Sequence, residues 1–206
     1  MKSMMMSGAV LLMLVVSCAF STHPLSDAEK ALFDHRLKGL WMAEADGEVI
    51  YIHIGVGENN ITQIVTVEHD DKGSLDVDHY AMHPTVIDGE YYSNLLELDN
   101  NGQPFRSDKG RYIFIKYAVI GGDRLSFSIV NHGYVDKAVA AGELKGRFVK
   151  EPVGDESAAE GGDPLIMTTR YTEIMDQPEN IIQWIRAQDP EVLFEENWTF
   201  IKKSLD

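Results

Sequence analysis

The side chains with most chemistry to offer are one thiol, Cys18, and seven imidazoles, His23, His35, His53, His69, His79, His83 and His132. A structural or catalytic metal needs three or four such groups converging on one point. His79 and His83 are four residues apart, a spacing that serves a metal on one helix face, but Pro84 and the surrounding β-formers read as strand. On a strand the two lie about 13 Å apart on one face, too far to share an ion. No H-E-x-x-H is present. Asp99-Asn100-Asn101-Gly102-Gln103 has the composition of a calcium loop, yet its glycine is misplaced and no Glu closes the twelfth position, so it reads as a hairpin turn. No G-x-S-x-G surrounds a serine, and Ser126 and Ser128 read as plain strand positions. Gly55-Val56-Gly57 lacks the third glycine and the helix of a dinucleotide fingerprint. The chain is therefore expected to be no enzyme and to carry no cofactor and no metal.

Cys18 is informative through what precedes it. Met1-Lys2-Ser3 is a short start with one positive charge, and Val10 to Val16 is a dense apolar run. Together they have the shape of a secretory signal, too short to span a bilayer comfortably. The stretch Val15-Val16-Ser17-Cys18 resembles the bacterial lipobox, with Val where Leu is commoner three places before the cysteine. The resemblance implies that residues 1–17 are removed and that Cys18 becomes the first residue. Its thiol then takes a thioether-linked diacylglycerol and its new amino group is acylated. Each buried methylene contributes about 0.8 kcal/mol, so several chains anchor firmly. Ala19, where inner-membrane lipoproteins of Gram-negative cells tend to carry Asp, implies the outer membrane, facing the periplasm, for such a source. The alternative is an ordinary signal cut near Ala19 or Ser21, with Cys18 discarded.

The formal charge is −15, and loss of Lys2, the one charged residue in 1–17, takes it to −16. Nucleic-acid binding needs clustered Lys and Arg, so it is not expected. Anionic headgroups would also repel such a chain, which leaves the lipid on Cys18 as the membrane contact. With no second cysteine there is no disulfide framework, and the core must hold the fold alone.

Residues 18–27 read as a lipidated tether; nine extended residues reach about 30 Å. Residues 28–206 read as one domain. Ser26-Asp27-Ala28-Glu29 reads as a helix start, with the helix stopping before Gly39. From there the apolar period becomes two: Ile50, Ile52, Ile54 and Val56 share one face, and strands follow at Ile61–Glu68, Val77–Met82, Thr85–Leu98 and Arg111–Ile120. Pro84 or Asp88-Gly89 is expected to interrupt the middle of this series. Leu125, Phe127 and Ile129 alternate with serines, and Leu144, Gly146 and Phe148 form the apolar side of another strand. Val135–Ala141 reads as a helical turn ended by Gly142. Residues 151–164 read as an exposed acidic loop, with strand again at Ile166–Ile174. Pro178–Arg186 carries the best helix signal, with Pro and Glu in the first turn and Ile181, Ile182 and Ile185 in a stripe. Trp198–Lys202 is the closing strand.

About nine mostly antiparallel strands with short turns predict a mainly β fold, an up-and-down barrel of 8–10 strands that leaves no open edge. Gly39-Leu40-Trp41 resembles the G-x-W motif on the first strand of lipocalins. The resemblance implies a barrel closed at one end by Trp41, packed on a basic side chain of the last strand, here Lys202 or Lys203. It also implies a short N-terminal helix. The segment Tyr112 to Phe148 is similar to that of uncharacterised bacterial lipoproteins, which implies no activity. Two roles fit such a barrel. It holds a small apolar or lipid-like ligand, or its interior is filled and it serves as a scaffold or protein-interaction module of the cell envelope. Alternation of faces does not separate them.

Overall fold

The computed structural model describes residues 19–26, 33–45, 48–57, 61–69, 73–99, 101–104, 111–153 and 167–204. The expected signal segment 1–17, Cys18, residues 154–166 and residues 27–32 of the expected first helix lie outside the described residues, and residues 151–153 of the expected acidic loop 151–164 belong to a strand.

The fold is mainly β, a closed antiparallel eight-stranded barrel with a few short helices. Its strands are β2 (Gly39–Ala45), β3 (Glu48–Val56), β4 (Thr62–His69), β5 (Leu75–Ile87), β6 (Glu90–Leu98), β7 (Tyr112–Ile120), β8 (Arg124–Val130) and β11 (Phe194–Lys203). They meander in order, and β11 returns to pair with both β8 and β2, which closes the ring. The turns follow local chemistry. Asp88 (φ 53) and Gly89 (φ 88) are both left-handed, the requirement of a tight two-residue hairpin, and they join β5 to β6 at Ile87↔Glu90. Pro84 does not interrupt β5. It lies past the last pairing with β4, Thr62↔Met82, where the strand has a neighbour on one side only and proline is tolerated.

Between β8 and β11 the chain makes an excursion. Helix α1 (His132–Ala141) is longer than the single turn expected, because the Asn131 side chain caps the Tyr134 amide and Gly142 (φ 76) ends it. Strands β9 (Gly146–Val153) and β10 (Met167–Ile174) pair antiparallel, and helices α2 (Pro178–Ala187) and α3 (Pro190–Leu193) follow. On β9 the expected face is reversed. Phe148 is 42% exposed beneath the Arg170 guanidinium, while Val149, paired with Tyr171, packs on the core. The Arg170 guanidinium covers that face of β9 at Phe148, while the opposite face, with Val149, is the one turned to the core.

The segment expected to be a tether is, from Ala19, part of the fold. Strand β1 (Ala19–Ser21) is buried, parallel to β10 and antiparallel to the start of β7. Three residues show no period, so alternation could not reveal it. Strand β7 therefore forks. Tyr112 and Ile113 face β1, whereas Ile115–Ile120 pair with β8. Further on, the Leu25 amide donates to Asn94 Oδ1 (2.9 Å), and Leu25 is buried. Residues 34–37 form a turn, not helix.

Two cores result. Inward side chains of all eight barrel strands, among them Trp41, Ile52, Tyr80, Ile115, Phe127 and Phe200, fill the barrel. Outside the wall, Tyr92, Phe114 and Val130 pack under Ile174, Ile181, Trp184 and Leu193 of the excursion. The first core holds the two ends of the barrel; the second fixes the excursion and β1 against one wall.

Candidate functional site

The barrel has one closed end. Trp41 is fully buried, its Nε1–H donates to the Leu37 carbonyl (2.7 Å), and the Lys202 ammonium lies 5.0 Å from its ring centre. Gly39 makes this arrangement possible: at φ 139, any Cβ would stand 2.9 Å from Lys202 Cε. The turn beneath is tied to the barrel by the Tyr117 hydroxyl on Asp34 (3.2 Å) and by Arg36 stacked on Tyr91 (4.2 Å). A basic side chain of the last strand thus lies on the tryptophan of the first, with lysine where lipocalins use arginine.

The interior retains a cavity of about 30 Å³ lined by Ile52, Leu95, Phe127, Trp198 and Phe200, with Thr66 and Tyr80 the only polar types. Sites for small organic ligands run to about 300–1,000 Å³. Large Ile, Phe, Tyr and Trp side chains at inward positions have filled the barrel.

The opposite end is acidic. Strand alternation that places Tyr80 and Met82 inside also turns Asp76 and Asp78 inward, and the alternation of Ile64 and Thr66 does the same for Glu68. Glu68 stands directly opposite Asp76, Asp78 opposite Thr66, and Tyr80 opposite Glu97. Burial raises the Glu68 carboxyl above its ordinary value, and the charges of Asp76, Asp78 and Glu48 raise it further. Burial and Asp76 likewise push Asp78 up, opposed by His79. Tyr80, 5% exposed, is pushed strongly up by burial and then by Asp78, Glu97, Glu68 and Asp76. The ion pairs Arg36–Asp34, Lys116–Glu90, Arg147–Glu173 and Arg186–Asp88 all lie elsewhere. This cluster escaped sequence reading because one strand's alternation does not say which face is inside. The run Asp76, Asp78, Tyr80, Met82 held the signal.

A second recess of about 250 Å³ lies outside the wall, between Lys116, Ala118, Ser126 and Ser128 of β7 and β8 and Pro190, Glu191 and Phe194. Its lysine is already paired with Glu90 (3.1 Å).

The histidines do not converge. His79 and His83 share the outward face of β5, and among the described residues no group of three or more His, Cys, Asp or Glu could hold a metal ion. His83 is buried with Nδ1 unpartnered. The Asp99 carboxylate accepts the amides of Asn101 and Gln103 (both 2.8 Å), a turn that closes on itself.

In comparisons with known proteins, no family model matches the chain, and no curated protein or solved structure matches it.

Proposed function

We propose that this is a lipid-anchored protein of the cell envelope in which the barrel is a filled scaffold for a partner, with no carriage of a lipid inside it. The observation that carries the scaffold reading is the interior itself. A cavity of about 30 Å³ has an apolar lining, smaller by about a factor of ten than ordinary ligand sites.

The lipid anchor rests on the lipobox resemblance of Val15 to Cys18. Strand β1 supports that cut over the later ones. Removal of residues to Ala19 or Ser21 would take away part or all of a buried strand, whereas a cut before Cys18 leaves it whole. A lipid on Cys18 would hold the barrel one residue from its first paired strand, with no slack between membrane and fold.

Two measurements test the proposal. Cys18→Ala is expected to release the protein from membranes or block its maturation; fractionation and migration like the wild type would sink the anchor. Native mass spectrometry of the gently purified, exported protein is expected to give a clean mass after exposure to a lipid extract. A reproducible extra mass released by organic solvent would instead show a barrel that opens to hold a ligand.

A further inference from the structure

We infer that His83 is an acid-sensitive clasp for the N-terminal segment: while its ring is neutral residues 23–26 lie closed on the outer wall of the barrel, and when the ring takes up a proton they lift away.

Four outward side chains form one cell of that wall. His83 and Thr85 follow one another on the outer face of β5, and Asn94 and Tyr92 stand directly opposite them on β6. The N-terminal segment crosses the cell from corner to corner. The Leu25 amide donates to Asn94 Oδ1 (2.9 Å), and the Thr85 hydroxyl donates to Ser26 Oγ (2.6 Å). His83 and Tyr92 hold the other two corners, and both are buried although they face outward, His83 to 6% exposure. Upstream the segment is pinned separately, by the Thr22 amide on the Ile174 carbonyl (3.0 Å). Lifting can therefore be confined to residues 23–26, between that pin and the cell.

The cell has no place for a charged ring. His83 Nδ1 is buried with no hydrogen-bond partner among the described residues, and the side-chain oxygen opposite it, Asn94 Oδ1, already accepts from Leu25. An imidazolium brings a second N–H donor and a full charge, both costly to bury unpaired. The groups around it supply no counter-charge. Tyr92 of β6 and Tyr112 of β7, whose ring lies 6.3 Å away, are phenols that burial pushes up and keeps neutral. His23 of the segment bonds Thr22 Oγ1 (3.0 Å), and His79 on the same face of β5 is another imidazole. At the hairpin end of β5 and β6, Glu90 is taken by Lys116 and Asp88 by Arg186 (both 3.1 Å). Asp78 and Glu97 turn into the barrel with Tyr80. A protonated His83 is thus relieved only by water, and the segment crossing its cell stands in the way.

The sign follows from the two states. Closed, the ring is held below its ordinary value of 6.5 by burial; lifted, it regains that value. Opening is insensitive to pH above 6.5 and gains up to about tenfold per pH unit between 6.5 and the lowered value. The inference uses the barrel wall and the segment alone, and is independent of the lipid anchor.

The test is amide hydrogen exchange by NMR on the purified exported protein, from about pH 7.5 to about pH 5, with rates corrected for the intrinsic effect of pH. Protection of the Leu25 amide is expected to be level above 6.5 and then to fall by up to about tenfold per unit. The Ile115 amide, on a strand paired on both sides in the barrel, should keep its protection. His83→Phe should abolish the fall at Leu25; His83→Gln serves if the phenyl ring prevents folding. The His83 ring signals, followed in the same samples, should titrate below 6.5. A Leu25 profile that stays level below 6.5, the same fall in a folded His83 variant, a parallel loss at Ile115, or a ring midpoint at or above 6.5 would each overturn the inference.

Discussion

The Lys202 ammonium lies 5.0 Å from the centre of the Trp41 ring, joining the last strand of the barrel to the first over the backbone of Gly39. These three residues form one unit, because Gly39 without a Cβ is what lets Lys202 cross.

Trp41→Ala should therefore cost about 3–5 kcal/mol, as for large buried aromatics elsewhere. Lys202→Ala should cost about 0.5–2 kcal/mol for the lost cation–π contact. Gly39→Ala meets both a left-handed backbone and a contact with Lys202. In the double variant with Lys202→Ala the contact is gone and only the backbone strain remains. Urea unfolding of the set should show non-additive losses; strict additivity would mean that Gly39 and Lys202 do not touch in solution.

Asn94 straps the N-terminal segment to the barrel wall through the Leu25 amide. Asn94→Ala leaves that buried donor unpaired and should cost about 1–3 kcal/mol. A protein starting at Thr22 should lose more than one starting at Ala19, because it uncovers both β7 and β10. Equal denaturant midpoints for the two would show that β1 adds nothing.

The carboxylates of the open end have a signed pH dependence. Glu68 and Asp78 have folded pKa values raised above the ordinary 4.5 and 3.8. The folded state binds these protons more tightly, so the stabilisation from protonation is complete below the ordinary values and lost as pH rises through the raised ones. Glu68→Gln or Asp78→Asn should thus stabilise the protein near neutrality by a few tenths to about 1 kcal/mol. The gain should shrink as the pH is lowered toward 4. Destabilisation at pH 7 by either change would refute the repulsion.

His83 works in the opposite sense. Burial lowers its pKa below the ordinary 6.5, so the folded protein holds it neutral. Its contribution is complete above the ordinary value and is lost as pH falls through the lowered one. His83→Phe should flatten the dependence of stability on pH below the ordinary imidazole value of 6.5. An unchanged slope would show that His83 is protonated or solvated in the fold.

The barrel was legible because its strands carry their own periodicity: Ile50, Ile52 and Ile54 inside, Leu125, Phe127 and Ile129 inside, and Pro178 at the start of a helix. What escaped depended on neighbours far along the chain. Ala19–Ser21 is a strand only because β7 and β10 flank it. Which face of β9 is inside depends on its pairing with β10, which brings Val149 and not Phe148 to the core, and Pro84 is harmless only because β4 has ended. The acidic end needed β4 and β5 in register before Glu68, Asp76 and Asp78 could be seen as neighbours.

The circuit of the barrel also sets a timetable. Strand β2 finds its second neighbour only in Phe194–Lys203, and β1 finds one of its neighbours only in Met167–Ile174. A chain emerging N-terminus first therefore cannot close the ring, or complete the pairing of β1, until its C-terminal third has appeared. Such long sequence separation makes for slow folding and leaves earlier strands with open edges meanwhile. If the chain is exported as proposed, delayed closure keeps it pliable in transit and makes the final strand the latch.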